Sequence, residues 1–461
     1  MVLAFAGIVV SLMHTLVIPL VPDLPQLLNA NPADATWAVT ATLLAAAVST
    51  PVMGRLGDMY GKRRMLLVSL TVLVAGSVVA GLAGSLVPMV VGRALQGLSG
   101  GVIPLGIGIM RDELPRERLG AATATMSSSL GVGAALGLPA AALIADNLSW
   151  HMLFWTSAAA GGIAVVLVHV FVPESPIRTG GRFDLTGAAG LSVALVCLLL
   201  AISKGADWNS RVVIGLFITA AVVLLAWGWW ELRSARQPLV NLRTAARPQV
   251  LLTNLSAGTL GFATFALSLV LPQLLQLPVA TGYGLGESML VVGLVMAPQG
   301  LVMMFVSSLS ARISQAWGPK ATLMLGTAVV AAGYALGILL MSEIWQLVMV
   351  SCVIGAGVGF AYGALPTLIM SAVPVSETAA ANSLNTLLRA IGSSVSSAVV
   401  GVVLAKMTTT FGVPSLAGLR TVLAIGAGAA LAALIIASFL PRADHRATPS
   451  TTSEAGSPTD G

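Results

Sequence analysis

Apolar runs long enough to cross a lipid bilayer fill most of this chain of 461 residues. A helix needs about 20 apolar residues to span roughly 30 Å of hydrocarbon, and fourteen such runs follow one another along the sequence. They cover residues 1–21, 36–57, 65–83, 88–110, 119–145, 151–172, 185–204, 211–230, 250–275, 286–309, 321–341, 345–371, 378–404 and 417–440. We therefore expect an all-α membrane protein.

The composition excludes a soluble fold of this size. Only 9% of the residues are charged and 57% are hydrophobic, whereas soluble domains carry about 25% charged residues. Cys197 and Cys352 both lie inside apolar runs, so we expect small core residues there rather than a disulfide. Residues 1–21 lack the basic segment and the clear cleavage site of a signal peptide, so we expect them to be a retained span.

Basic residues concentrate in the loops that follow even-numbered spans. The first two of these loops contain Arg55, Lys62, Arg63 and Arg64, then Arg111, Arg116 and Arg118. The opposite side has only Lys204, Arg211, Lys406 and Arg420. The positive-inside rule therefore predicts a plasma or inner membrane protein with both termini in the cytoplasm, ending in a disordered tail over 441–461. This topology explains the net charge of +6 without a nucleic-acid partner. The loop 372–377 is an exception, since it has no basic residue.

The two halves of the chain resemble each other. Gly54-Arg55-Leu56-Gly57-Asp58 has a counterpart in Ala311-Arg312-Ile313-Ser314-Gln315, with an offset of 257 residues from Arg55 to Arg312. Spans 1–6 thus repeat as spans 9–14. We predict a six-helix bundle over 1–172, two linker spans with cytoplasmic loops over 173–249 and a second six-helix bundle over 250–440. Parallel repeats of this kind form secondary transporters, with the substrate site between the halves.

Three segments carry the residues of a known family. They are Gly54-x-Leu56-x-Asp58-x-x-Gly61-Lys62-Arg63 after span 2, Arg93-x-x-Gln96-Gly97 in span 4 and Asn382-Ser383-Leu384-Asn385-x-x-x-Arg389-x-x-Gly392 in span 13. Through these motifs the chain resembles the major facilitator superfamily over nearly its whole length, and within it the fourteen-span drug:proton antiporter family. The resemblance implies a major-facilitator-type fold of two six-helix bundles with two inserted spans.

Two departures from that family concern proton antiport. The antiporter signature in span 5 has adjacent glycine and proline, whereas here Gly133-x-x-x-Gly137 is followed by Leu138 and then Pro139. The family also usually has an aspartate in span 1, where this chain has Met13, followed by His14. Both departures weaken the prediction of proton coupling more than the prediction of the fold.

The resemblance implies a gating role for Gly54, Asp58, Gly61, Lys62 and Arg63. The glycines let the chain pass between two helices within a short loop. Asp58 can face a helix N-terminus, where a carboxylate gains about 0.3–2 kcal/mol from the dipole. Such a contact, made in one conformation only, shifts the inward/outward equilibrium. The alternative is that this loop only anchors the protein at an anionic membrane surface. Gln315, at the equivalent position of the second half, cannot supply the charge.

Proton coupling has three candidates. The resemblance makes Arg93 part of it, with a side chain that snorkels to the interface as the alternative. His14, near the middle of span 1, can titrate near neutral pH and could replace the missing carboxylate, although packed, hydrogen-bonded histidines are commoner. Asp23, at the outer mouth of span 1, is the third candidate, and the alternative is that it is only a solvated loop carboxylate.

Four neutral polar residues are candidates for the substrate cavity, and each could instead form a hydrogen bond between helices. They are Gln96, Gln273, Asn382 and Asn385. Arg389, near the middle of span 13, is a further candidate, with helix packing between the halves as the alternative. Span 5 contains a candidate hinge in Gly133, Gly137 and Pro139, which allow close helix contact or bending.

Proton-driven export of amphipathic, often cationic drugs by alternating access is the function that these observations favour. A narrow-specificity exporter of a metabolite or lipid, and a transport-inactive membrane sensor, are the alternatives. No Gly-x-x-x-x-Gly-Lys-[Ser/Thr] loop exists for ATP, and the four histidines lack metal-ligand spacing. We therefore expect no enzyme activity, cofactor or metal site. The expected partners are a small-molecule substrate, protons and the lipid bilayer, and we expect the chain to act as a monomer.

Overall fold

Helices make up the regular structure of this protein. The computed structural model describes residues 1–441 except 18–19, 21–23, 31, 36, 179, 206–207, 234–237 and 410–412. Within this part of the chain, a lone bridge between Thr408 and Pro414 is the one β-type pairing. The predicted tail lies outside the described residues except for its first residue.

Thirteen helical segments of the described chain are long and apolar enough to cross a membrane, and one of them, Leu86–Glu113, is formed by two helices together. The first helix, α1 (Val2–Leu16), is apolar but only 15 residues long. The others are α2 (Leu24–Leu27), α3 (Pro32–Ala35), α4 (Trp37–Tyr60), α5 (Lys62–Gly81), α6 (Leu86–Gly97), α7 (Val102–Glu113), α8 (Arg116–Asn147), α9 (His151–Phe171), α10 (Leu185–Ser203), α11 (Ser210–Arg233), α12 (Leu242–Ala245), α13 (Pro248–Gln276), α14 (Met289–Trp317), α15 (Pro319–Leu339), α16 (Ile344–Ala372), α17 (Thr378–Lys406) and α18 (Leu416–Ser438). The chain is a multi-pass membrane protein, and fourteen spans is a prediction consistent with these helices.

The predicted span 88–110 is not one continuous α-helix. A 3-10 turn over Leu98–Gly101 separates α6 from α7, although the two helices together cross the membrane as one span. At Gly97, a Cβ atom would lie 2.3 Å from the carbonyl oxygen of Thr42 in α4. The tighter turn therefore lies where two helix backbones touch, a contact that glycine permits.

The helices before residue 172 pack mainly on one another. α1 lies along α8, α5 packs between α6 and α9, and α4 packs against α6. Their buried core includes Val10, Leu70 and Leu105, and it also takes in Met370 and Ala379 from the second half. The first half therefore has its own core, which reaches into the second half at one point.

The helices after residue 248 form a second core. α13 packs against α17 and α18, α15 against α16 and α18, and α14 against α16. The largest buried apolar cluster, which includes Leu267, Val330 and Ile354, is drawn only from this half. This arrangement is compatible with two bundles, and the predicted domain boundaries stay a prediction.

The inserted pair α10 and α11 lies at the side of the molecule. Leu191 and Leu195 of α10 share a buried cluster with Ala47 of α4, Leu239 of the linker and Leu387 of α17. Only 6% of the residues in the most apolar stretch of α11 are buried. The pair therefore packs through α10 at the seam between α4 and α17, and α11 presents an apolar surface for lipid.

Four helix pairs join the halves: α8 packs against α14 and α16, and α17 packs against α4 and α7. The hydroxyl of Ser307 donates to the carbonyl of Ala124 at 2.7 Å. A Cβ atom at Gly300 would lie 2.2 Å from the carbonyl oxygen of Gly131. These α8–α14 contacts extend from mid-helix toward the end that is predicted to face the cytoplasm. The two halves are thus held together at that end.

Single cysteines on either side of α10 test the predicted topology. Arg182 and Arg211 are both exposed and flank this span. We expect Arg182→Cys to react with a membrane-impermeant maleimide in inside-out vesicles only, and Arg211→Cys in right-side-out vesicles only, because the positive-inside rule puts them on opposite sides. The background is a protein with Cys197 and Cys352 both replaced by serine. Labelling of both positions from the same side would contradict the topology.

Candidate functional site

A single residue connects α4 to α5. Gly61 has φ of +117°, in the left-handed region that favours glycine, and a Cβ atom there would lie 2.7 Å from a carboxylate oxygen of Glu174. At Gly54, a Cβ atom would lie 2.0 Å from the hydroxyl oxygen of Ser383 in α17. Gly61 therefore permits the turn, and Gly54 permits contact between the two halves.

Asp58 lies fully buried at the N-terminus of α17. Its Oδ2 accepts a hydrogen bond from the backbone N–H of Ala380 at 2.9 Å, and its Oδ1 accepts one from Ala379 at 3.4 Å. These amides belong to the first turn of α17, where N–H groups have no partner within the helix. The helix dipole adds to the attraction for a carboxylate. The contact joins the first half of the chain to the second.

Lys62 completes a buried charge cluster. Its Nζ lies 3.4 Å from Oδ1 of Asp58 and 2.7 Å from Oδ2 of Asp112, and none of the three side chains is exposed. Arg63 does not reach the second half, since its backbone N–H donates to Glu174, just after α9, at 3.2 Å. One lysine thus holds two carboxylates, of which only Asp58 reaches the second half.

Arg111, at the end of α7, contacts the other end of the same connection. Its Nη2 donates to the carbonyls of Met370 at 2.8 Å and Val373 at 3.0 Å, and its Nη1 donates to Oγ1 of Thr378 at 2.5 Å. α16 ends at Ala372, so these carbonyls belong to a helix C-terminus, where a cation is stabilised. The first half therefore binds the α16–α17 connection at both ends, with the Asp58 carboxylate at the N-terminus of α17 and the Arg111 guanidinium at the C-terminus of α16.

Sequence reasoning missed this role of Arg111, which is one of several basic residues in a predicted cytoplasmic loop. The signal was the loop 372–377, which has no basic residue of its own. In the structure, Arg111 and Arg247 supply the missing cations, since Nη1 of Arg247 donates to the carbonyl of Ala372 at 2.9 Å. A loop without positive charge at a predicted cytoplasmic face can thus indicate a cation that comes from elsewhere in the chain.

The equivalent turn of the second half repeats the backbone but not the charges. Gly318, with φ of +87°, alone joins α14 to α15. Gln315, the counterpart of Asp58, is exposed and donates through Nε2 to the carbonyl of Glu117 at 3.5 Å. The two halves therefore contribute unequally to the contact between them.

Arg93 is fully buried inside the first half, with 1% of its surface exposed. Its Nε donates to the carbonyl of Ala38 at 3.0 Å, and its Nη1 donates to the carbonyl of Met13 at 3.3 Å and to Oε1 of Gln96 at 2.7 Å. These partners contradict a snorkelling side chain. Gln96, a candidate for the substrate cavity, is instead fully buried and donates to the hydroxyl of Ser77 at 2.8 Å.

The other proton-coupling candidates are less defined. His14 lies in the last turn of α1, beside the Met13 carbonyl that Arg93 binds, and its ring makes no hydrogen bond within the described part of the chain. Asp23 lies outside the described residues. A role in proton coupling stays a prediction for all three.

Two asparagines of α17 make hydrogen bonds inside the second half. Nδ2 of Asn382 donates to the carbonyl of Thr378 at 2.9 Å. Nδ2 of Asn385 donates to Oδ1 of Asn254 in α13, also at 2.9 Å, and both of these side chains are buried. Asn385 is thus an interhelical hydrogen-bonding group in this conformation.

Arg389 lies one turn beyond Asn385 on the same face of α17. Its guanidinium carbon lies 4.6 Å from the centroid of the Tyr362 ring in α16, a cation–π distance. Gln273, near the end of α13, is exposed and borders an open cavity of about 320 Å³ between α13 and α17.

The candidate hinge in α8 lies against α1. A Cβ atom at Gly133 would lie 2.4 Å from Cβ of Ser11, and a Cβ atom at Gly137 would lie 1.9 Å from Oγ1 of Thr15. α8 runs on through Pro139 to Asn147 as one helix. The glycines therefore provide close helix contact here, and a hinge stays a prediction.

Among the described residues, no three His, Cys, Asp or Glu side chains are grouped so that they could hold a metal ion. Cys197 and Cys352 are both free thiols. The chemistry that this site offers is therefore hydrogen bonding and charge pairing between two halves of a membrane protein.

Comparison with known proteins agrees with this architecture. The family model described as the Major Facilitator Superfamily matches residues 3–397. "Multidrug resistance protein 3" of Bacillus subtilis is 27% identical over 81% of this chain and 73% of its own length. "Multidrug resistance protein Stp" of Mycobacterium tuberculosis is 27% identical over 83% of this chain and 71% of its own length.

A solved structure has the same fold. The crystal structure of the human organic anion transporter MFSD10 (TETRAN) matches with a TM-score of 0.66 over 94% of this chain and 98% of that chain. The two sequences are 16% identical, so this likeness concerns the fold alone.

The buried network of Arg93 predicts a large loss of stability when its donors are removed. In Arg93→Met, the carbonyl of Met13 and the amide oxygen of Gln96 lose the donor that Arg93 supplies, whereas the carbonyl of Ala38 keeps the hydroxyl of Thr42. We expect the free energy of unfolding to fall by about 2 kcal/mol or more, since each unsatisfied buried group costs about 1–3 kcal/mol. Thermal unfolding of the purified protein, followed by tryptophan fluorescence, measures this. Arg420→Met, at an exposed position of α18, is the control, and equal stability of both variants would contradict the prediction.

Proposed function

Because the chain belongs to the Major Facilitator Superfamily, and is thus a membrane transporter of small molecules rather than an enzyme, we propose that it exports amphipathic drugs, cationic ones included, in exchange for protons. The matches to proteins named for multidrug resistance, at 27% identity, support drug export. We propose that the protein resides in the cell membrane as a monomer with both termini in the cytoplasm, which is the topology that the distribution of basic residues favours.

The observation that carries this proposal is the contact of Asp58 with the N-terminus of α17. It joins the halves at the end where α8 and α14 also touch. Transport by alternating access requires this end to open, and opening removes the amide donors from the carboxylate. The contact therefore stabilises one state only, by up to about 2 kcal/mol for a carboxylate at a helix end. A change of about 1.4 kcal/mol, which lies within this range, shifts a two-state equilibrium about tenfold.

The contact of Arg111 with the other end of the connection depends on the conformation in the same way. Its hydrogen bonds to Met370 and Val373 cross between the halves, so they too are lost on opening. We propose that Asp58, Lys62 and Arg111 act together as a gate, with Gly54 and Gly61 providing its geometry. We propose that proton coupling involves His14, Arg93 or Asp23, the candidates near the outer end of the first half.

Loss of either gate charge is expected to open this end of the molecule. We expect Asp58→Asn and Arg111→Gln each to increase, by up to about tenfold, the fraction of molecules with a larger separation between spin labels at Tyr60 and Trp317. Both label sites are exposed, at 42% and 72%, and lie at the ends of α4 and α14. Pulsed electron paramagnetic resonance measures the distance distribution. Arg118→Gln, an exposed residue on the same side, is the control, and identical distributions in all four proteins would contradict the gate.

Proton exchange is tested in inside-out vesicles with an acidic interior. A panel of amphipathic cations, neutral compounds and anions is added, and the pH gradient is followed with a fluorescent dye. We expect at least one compound to collapse the gradient with wild-type protein and to do so at least about tenfold more weakly with Asp58→Asn. Glu113→Gln, which removes an exposed carboxylate at the end of α7, is expected to behave like wild type.

A further variant, His14→Ala, tests that residue as the proton carrier, because loss of collapse without loss of substrate binding would assign the role to His14. No collapse with any compound, from protein that is folded, would contradict proton-driven drug export. It would favour the narrow-specificity exporter instead.

A further inference from the structure

The charges deep inside the spans are positive. Every acidic residue of the described helices lies within two residues of a helix end. These are Asp34, Asp58, Asp112, Glu113, Glu117, Asp146 and Glu231. By contrast, Arg93 follows the start of its span at Leu86 by seven residues, and Arg389 follows the start of α17 at Thr378 by eleven. The described helices therefore place arginines, and no carboxylate, more than two residues from a helix end.

The two arginines differ in whether their hydrogen-bonding capacity is used. Arg93 is fully buried and donates to the carbonyls of Ala38 and Met13 and to Gln96. Arg389 is only partly buried, and its guanidinium makes no hydrogen bond or ion pair with the described part of the chain. Arg93 therefore directs its donors to partners inside the first half. Arg389 presents unused donors near the middle of a membrane span, where a charge without a function is rare.

The neighbours of Arg389 hold it in place without neutralising it. The Tyr362 ring lies against its guanidinium at 4.6 Å, and this tyrosine is itself buried. A Cβ atom at Gly261 of α13 would lie 2.8 Å from Cγ of Arg389, so that glycine admits the arginine stem between the helices. On the same face of α17, Asn385 lies four residues before Arg389 and Ser393 four residues after it. All of these groups are neutral, so the positive charge of Arg389 is left for a ligand.

We propose that Arg389 binds the anionic group of an amphipathic organic anion, such as a sulfonate or carboxylate, during export. The inference rests on the proposed function in assuming that the chain exports amphipathic compounds, and it narrows their charge to negative. The planar guanidinium offers parallel N–H donors that match a carboxylate or sulfonate in a bidentate way. In a site of low dielectric constant this pairing is strong, and the same charge repels an amphipathic cation.

A pair of aromatic ions of the same size tests the charge preference. Naphthalene-1-sulfonate and trimethyl(1-naphthyl)ammonium share one ring system and differ in the sign of a permanent charge. Their transport is measured with the full chain in liposomes of neutral phosphatidylcholine. The membrane potential is clamped at zero, so that binding rather than voltage decides the preference.

Wild-type protein is expected to transport the sulfonate in preference to the ammonium ion. Arg389→Gln is expected to reduce sulfonate transport about 10- to 100-fold, because the variant loses the charge that assists the hydrogen bonds to the anion. Most of that loss is expected as a higher KM. Arg389→Lys keeps the charge without the planar guanidinium, so its rate of sulfonate transport is expected to lie between those of wild type and Arg389→Gln. Arg420→Gln, which removes an exposed arginine of α18, is the matched control and is expected to leave transport unchanged. Thermal unfolding of each variant separates a folding defect from a binding defect.

Transport of the ammonium ion in preference to the sulfonate, unaffected or improved by Arg389→Gln, would overturn the inference and leave the proposed drug export intact. Failure of wild-type protein to move the sulfonate while it moves other amphipathic compounds would overturn it as well. If neither ion and no compound of the vesicle panel is moved, the proposed function fails together with the inference.

Discussion

Hydrocarbon offers no hydrogen-bonding partner to a peptide group or a charge, and this constraint determines most of the structure. Helices satisfy their own backbone groups, so the described spans are helical throughout. Polar side chains inside them must find partners in neighbouring helices, as Arg93 does with the carbonyls of Ala38 and Met13. Helices must also approach closely to be held by packing alone, which explains glycine at contacts such as Gly300 with Gly131.

The contacts of Asp58 and Arg111 with the second half use the backbone polar groups that a helix leaves free at its two ends. α16 ends and α17 begins within a few residues of each other, so their negative and positive poles lie side by side. The first half meets these poles with Arg111 and Asp58, one charge of the correct sign for each. Neither contact needs a charged residue from the second half. This arrangement explains how a repeat with one charged copy and one neutral copy at Gln315 can still form a specific interface.

The spans were predictable from hydropathy because each run is long and nearly free of charge, and the predicted bounds lie within several residues of most helix ends. The turn at Gly61 and the attraction of Asp58 for a helix end could be anticipated from local chemistry. The identity of that helix could not, because Asp58 and Ala380 are 322 residues apart. Arg111 was missed for the same reason, and Gln96 was assigned to a cavity because sequence does not say which neutral polar groups already have a partner. The 3-10 turn over Leu98–Gly101 likewise depends on its packing against α4.

Arg389, which makes no ion pair with the described residues, also bears on the source of energy for transport. If the cargo is a monovalent anion, each export event moves one negative charge out of a cell whose interior is electrically negative. The membrane potential then releases about 2.3 kcal/mol per 100 mV for every molecule exported, which sustains a concentration ratio of about 50-fold. Voltage alone would therefore expel such a compound. Any proton exchanged for it would increase the concentration gradient of the compound rather than create that gradient. A chain without the usual aspartate in its first span would be suited to this electrophoretic mode of export.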